Sequence, residues 1–327
     1  MALRNNLTSK ADRNRSLRGD VHAPPNLALG PTGEVIRRLE LAVTRRLDGM
    51  LQGDYRGLVP GHGSELGEAR PYVPGDDVRR IDWNVTARSI DAHVRDTIAD
   101  RELETWVLAD LSGSLGFGTA DCEKRDLAVA AVAAVGFLTQ RTGNRVGTMA
   151  LTGNGPLTIP ARQGRLHLQA LLHQLVVAAR AADGSTDLSE GLRRLSGTAR
   201  RRGLVVVVSD FLDYGPWEQP LRVLAARHEA VCVEILDPRE LTLPNVGLVD
   251  FVDPETGATL EVQTSDAEVR AAFAAAAAEQ RARITQAIRR TGADHLVLRT
   301  DQDWLLDLAR FVTWRRERIH ALGRARA

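Results

Sequence analysis

Leu204-Val205-Val206-Val207-Val208-Ser209-Asp210 decides the fold. Its unbroken apolar run has no polar face, so the segment reads as a strand buried on both sides, which a parallel sheet covered by helices provides. A second run, Trp106-Val107-Leu108-Ala109, also ends in a carboxylate and continues as Asp110-Leu111-Ser112-Gly113-Ser114.

Around these two runs, strand and helix patterns alternate. Strands are expected over 103–109, 145–151, 155–161, 204–209, 230–236 and 295–298. Helices are expected over 122–141, 164–182, 217–227, 265–291 and 302–322. This rhythm predicts an α/β fold with an open, doubly wound, mostly parallel sheet. Residues 238–264 break it, and 246–262 read as an inserted β-hairpin turning at Asp253-Pro254-Glu255-Thr256-Gly257.

Upstream, Val35, Ile36, Leu39, Val43, Leu47 and Met50 recur at helical spacing and predict one amphipathic helix over 33–51. Residues 55–97 are rich in turn signals, with short strands expected at 79–83 and 92–95. Residues 1–31 are basic and polar, too poor in apolar surface to order themselves. The expected division is therefore a disordered tail (1–31), a helix plus small β-rich unit (32–102), and the sheet domain with its hairpin (103–327).

Composition narrows the function. At 327 residues the chain has 43% hydrophobic and 26% charged residues and a net charge of +1. Such near-neutrality gives no global attraction for nucleic acid or anionic lipid. Cys122 and Cys232 are the two cysteines, without metal-ligand spacing, so neither a disulfide scaffold nor a zinc site is expected. No apolar window reaches the ~18–20 residues of a membrane span, and the basic start lacks a signal-peptide core. A cytoplasmic protein without membrane insertion is expected.

In a parallel sheet the loops after the strands gather at one edge. Asp110, Ser112 and Ser114 follow one strand, Asp210 follows another, and Thr186 in Gly184-Ser185-Thr186-Asp187 sits in a loop able to reach the same edge. Two carboxylates and three hydroxyls are an all-oxygen donor set for Mg²⁺, with Ca²⁺ or Mn²⁺ as substitutes. So few carboxylates leave the ion positive enough to attract an acidic side chain from a partner. The plainer reading is that Ser, Thr and Asp cap helices, and Asp187-Leu188-Ser189-Glu190 has the spacing of a capping box. Capping alone accounts poorly for all five residues together.

The three segments resemble the metal-ion-dependent adhesion site of a von Willebrand factor A domain. Arg70-Pro71-Tyr72-Val73-Pro74-Gly75-Asp76-Asp77-Val78-Arg79-Arg80-Ile81-Asp82-Trp83, then Thr86-Ala87-Arg88, resembles the signature of the bacterial DUF58 family. The resemblance implies a von Willebrand A/Rossmann-like fold and a metal site at Asp110, Ser112, Ser114, Thr186 and Asp210. It also implies partnership with a MoxR-type AAA+ ATPase and an unidentified client protein, in chaperone-like maturation or assembly. Leu115 and Leu66 depart from the family pattern without removing a ligand oxygen. The signature itself has two readings. Paired charges brace the small unit, which turn chemistry favours, or Tyr72, Asp82 and Trp83 form a docking face for a partner.

Two rival functions are weaker. A Mg²⁺-dependent, phosphatase-like hydrolase needs an acid two residues after the strand-end aspartate, where Ser112 stands, and no nucleophile elbow or phosphate loop occurs. An enzyme is therefore not expected. Nucleic-acid binding would rest on the basic termini, which lack a recognised motif.

Overall fold

The computed structural model describes residues 2–3, 23–51, 66–73, 78, 81–89, 91–97, 103–213, 215–252 and 258–324. In chain order these begin with strand β1 (Ala2–Leu3) and helix α1 (Thr32–Leu51). Strand β2 (Leu66–Pro71), helix α2 (Trp83–Thr86) and strand β3 (His93–Thr97) follow. Next come β4 (Glu104–Asp110), α3 (Lys124–Arg141), β5 (Arg145–Leu151), β6 (Leu157–Arg162), α4 (Arg165–Ala181) and α5 (Leu188–Thr198). The chain continues through β7 (Gly203–Ser209), α6 (Glu218–Arg227), β8 (Glu229–Leu236) and the hairpin β9 (Leu248–Val252) and β10 (Thr259–Gln263). It closes with α7 (Ala267–Thr291), β11 (Asp294–Arg299) and α8 (Trp304–Arg324).

Two compact units result: residues 1–59 with 103–327, and residues 60–102. In the larger unit, six strands run in the order β11-β8-β7-β4-β5-β6, all parallel except β6, which is antiparallel to β5. The doubly wound α/β expectation holds. Alternate residues of β7 serve opposite faces: Val206 and Val208 join the layer of α1, α3, α4 and α8, while Val205 and Val207 join that of α5, α6 and α7. Helix α3 is buried almost all round, and its alanines let the sheet, α1 and α4 close on it.

The sequence reading needs four corrections. Helix α1 belongs to the sheet unit, packing on α3, α4 and α8 with Leu39 fully buried, rather than to the small β-rich unit. An amphipathic stripe announces that a helix packs, not onto what. The expected disordered tail ends early: Leu27 is 2% exposed, its amide donates to Asp126 at 2.9 Å, and Arg180 donates to the Leu27 and Gly30 carbonyls. Residues 4–22 lie outside the described residues. Of the strand expected at 79–83, residues 79 and 80 lie outside the described residues; Ile81 makes an isolated bridge to Val94 and α2 follows, because Asp82 caps Asn84 and Val85. Helix α5 occupies a stretch in which only the Asp187 cap had been read.

The smaller unit pairs β2 with β3 antiparallel. The inserted hairpin has Val252 opposite Thr259, with β1 paired to its β9 edge, and Leu243, Val249 and Phe251 form its own small core. No helix among the described residues is long and apolar enough to cross a membrane.

Candidate functional site

β4 and β7 lie side by side at the centre of the sheet, with Ala109 level with Val208. Their carboxyl ends therefore deliver Asp110 and Ser209-Asp210 to one place. Asp110 is 4% exposed and Asp210 2% exposed. Asp110 Oδ1 accepts from the Ser112 amide at 2.9 Å and the Thr186 hydroxyl at 3.0 Å, and Oδ2 from the Ser209 hydroxyl at 2.8 Å. Ser112 Oγ is 2.9 Å from Ser114 Oγ, while Asp210 accepts from Lys124 and from the Leu212 amide. Four of the five residues expected to meet, Asp110, Ser112, Ser114 and Thr186, are linked by hydrogen bonds, and Asp210 stands at the same sheet edge one residue beyond Ser209, which donates to Asp110.

Capping explains part of this and fails for the rest. Asp187 does cap α5, accepting from Glu190 at 2.8 Å. Ser112 stands at the start of a short 3-10 turn, Gly113–Gly116, yet makes no capping bond. Its hydroxyl turns to Ser114 instead. Thr186, one residue before the true cap, reaches Asp110.

The wall that carries Thr186 is held by backbone. The Gly113 amide donates to the Gly184 carbonyl at 2.8 Å, and Gly184 takes a left-handed φ of 79°. Gly153, in the turn after β5, lies so close that a Cβ there would overlap the Asp183 carbonyl oxygen. Beyond Asp210, Phe211 has a φ of 55°, a conformation costing a non-glycine residue about 1 kcal/mol. The Phe211 amide on Ser209 Oγ, the Leu212 amide on Asp210 Oδ1 and the Trp217 ring against Phe211 hold it there. Strain of this kind concentrates at working sites.

The charges are unevenly compensated. Burial, then the neighbouring Asp210 charge, raises the proton affinity of Asp110 against the three donors that oppose it. Among the described residues no cation pairs with Asp110. Burial would raise Asp210 too, but Lys124 outweighs it and holds that carboxyl below the usual range. Lys124 Nζ lies 2.7 Å from Asp210 Oδ2 and 2.7 Å from Glu240 Oε1, and the side chain is 1% exposed. Burial alone would lower the Lys124 ammonium; the two carboxylates raise it instead. On the open side, Ser114 and Thr186 are half-buried and Ser185 is exposed.

This donor set fits a hard divalent cation. A buried carboxylate with no counter-ion among the described residues stands beside two mutually bonded serines and a threonine, of which Ser114 and Thr186 are half-buried. Among the described residues no group of three or more His, Cys, Asp or Glu is suited to a metal, so any such ion depends on the hydroxyls. Three members escaped the sequence reading. Ser209 was legible in principle, since level pairing of β4 and β7 brings it beside Asp110. Lys124 carried no local motif, and Glu240 lies in Asp237-Pro238-Arg239-Glu240, a capping-box stretch whose spacing says nothing of a contact with Lys124.

The three docking candidates sit in the smaller unit. Tyr72 is half-buried, its amide donating to Ala92 at 2.7 Å. Asp82 is the α2 cap, accepting from Asn84 at 3.0 Å and Val85 at 3.2 Å. Trp83 is 70% exposed. Asp76, Asp77 and Arg79, charged residues of the signature, lie outside the described residues.

The protein family of unknown function DUF58 matches residues 68–283. An uncharacterized protein of Mycobacterium tuberculosis is 50% identical over 301 residues, 92% of this chain and 93% of its own. One of Mycobacterium avium is 46% identical over 159 residues, 48% of this chain and 94% of its own. Among solved structures, BatB from Bacteroides thetaiotaomicron is similar at 11% identity and a TM-score of 0.41, over 66% of this chain and 99% of that one. The SpRpn10 VWA domain is similar at 13% identity and a TM-score of 0.36, over 63% and 93%.

Proposed function

The chain belongs to the DUF58 family, and on that footing we propose that it is a metal-dependent protein-binding adaptor of the cytoplasm. In this reading Asp110, Ser112, Ser114 and Thr186 hold Mg²⁺, Asp210 lies at the same edge beside them, and Ca²⁺ or Mn²⁺ can substitute. Bound there, the ion supplies an electrophilic position for a carboxylate oxygen of a partner. The chain's own residues do the rest. Asp110 anchors the cluster on a central strand, the serine pair orders its two hydroxyls against each other, and Ser114 and Thr186 are half-buried, so that side is reached from solvent. A single observation carries the reading: the buried, uncompensated Asp110 at the centre of hydroxyls that are not spent on helix caps.

The partners of this proposal are a MoxR-type AAA+ ATPase and a client protein undergoing maturation or assembly. We assign no catalytic residue, because Ser112 stands where a phosphatase-like mechanism needs an acid. Affinity capture from native cells tests the proposal, using wild type, wild type with chelator, and Asp110→Ala. The ATPase and client are expected with wild type alone. Equal recovery in all three conditions removes the ion from binding.

A further inference from the structure

Lys124 opens α3 with its ammonium sealed between two carboxylates. We propose that this ammonium is the standing counter-ion of Asp210, keeping Asp210 out of direct contact with the ion and leaving Asp110 as the one carboxylate set against it. The inference rests on the metal reading above and goes beyond it by naming the residue that sets the charge of the site.

Both Asp210 oxygens are committed, Oδ2 to Lys124 at 2.7 Å and Oδ1 to the Leu212 amide at 3.1 Å. The second anchor of Lys124 is equally fixed. Glu240 gives one oxygen to Lys124 and the other to the Asp237 amide at 3.0 Å. Asp237, fully buried, accepts from the Thr119 amide and hydroxyl and from the Thr300 hydroxyl. The ammonium is thus cut off from solvent and held on both sides by carboxylates that are themselves fixed. Its position is adverse in other respects, since burial penalises a charge and the first turn of a helix carries positive dipole. The two carboxylates offset both. The residue type points the same way: of 43 lysines and arginines, Lys10 and Lys124 are the only lysines. A compact point charge, not a planar fork, stands here in a chain that otherwise uses arginine. With Asp210 neutralised from behind, a divalent ion at the hydroxyls keeps surplus positive charge toward the opening at Ser114 and Thr186, where an acidic ligand would arrive.

Mn²⁺ titration of the full chain, followed by the spin-resonance signal of free Mn²⁺, tests this. Lys124→Met frees Asp210 and is expected to bind Mn²⁺ about tenfold more tightly than wild type, since one positive charge leaves the site. Lys124→Met with Asp210→Asn removes the pair together and is expected to stay close to wild-type affinity, whereas Asp110→Asn loses binding. Lys124→Met binding no more tightly than wild type overturns the inference. So does a double variant that loses Mn²⁺ as completely as Asp110→Asn, and this arm decides alone where Lys124→Met fails to fold. A wild type that binds no Mn²⁺ defeats the metal reading instead. Asp110-dependent binding gained by Lys124→Met would then still uphold Lys124 as the cation of Asp210, and a silent Lys124→Met would overturn both.

Discussion

Asp110→Asn should make the protein more stable without an ion and deaf to one with it. The asparagine keeps Oδ1 as acceptor for the Ser112 amide and the Thr186 hydroxyl, and the Ser209 hydroxyl can turn to accept from the new amide. That rotation leaves the buried Ser209 hydroxyl hydrogen without its acceptor, so one hydrogen bond is given up. What is gained is the removal of a buried charge that faces Asp210 without a cation among the described residues. Relief of burial and repulsion together outweighs that one bond, for a net gain of about 1 kcal/mol. In wild type, Mg²⁺ at one hundred times its dissociation constant adds about 2.7 kcal/mol. For a unit of this size that is a rise of about 5 °C in melting temperature. Scanning calorimetry with chelator and then with saturating Mg²⁺ should give crossing results: the variant melts higher in chelator, wild type melts higher in Mg²⁺. Two results refute the reasoning, a variant that keeps the Mg²⁺ shift or one that melts below wild type in chelator.

Leu39→Ala should cost about 2–5 kcal/mol in urea unfolding, because Leu39 is fully buried in the core shared by α1 and the sheet; a cost near zero would detach α1 from that core. Burial pushes the Asp126 carboxyl up to about 6. A raised carboxyl favours the protonated native state, so its stabilising contribution is complete below about pH 4 and is lost as pH rises through about 6, some ~3 kcal/mol in all. Asp126→Asn should flatten that decline between pH 4 and 7, and an unchanged pH profile would assign the decline elsewhere. Trp83→Ala, at an exposed position, should leave the unfolding free energy in urea within about 0.5 kcal/mol of wild type while lowering partner recovery. An unfolded variant would make Trp83 a brace.

The sheet was legible because burial on both faces leaves a mark in sequence: Leu204 to Val208 admits no polar residue, and every strand of the larger sheet was found to within about two residues. The five clustered oxygens followed from the rule that parallel strands share an edge. Lys124 was invisible for the opposite reason. Its partners Asp210 and Glu240 lie 86 and 116 residues away, and at a helix start it reads as an ordinary charged residue. The strand expected at 79–83 failed because Ile81 and Trp83 alternate as a strand would, while the Asp82 side chain binds the backbone ahead and turns it into a helix.

The contact at Gly153 exposes the cluster to damage from outside it. A single methyl there would push against the Asp183 carbonyl and displace the segment bearing Thr186 without altering any oxygen donor. A loss of grip traced to residue 153 would thus be a lesion of clearance rather than of chemistry, and a search confined to charged or hydroxylic positions would pass it by.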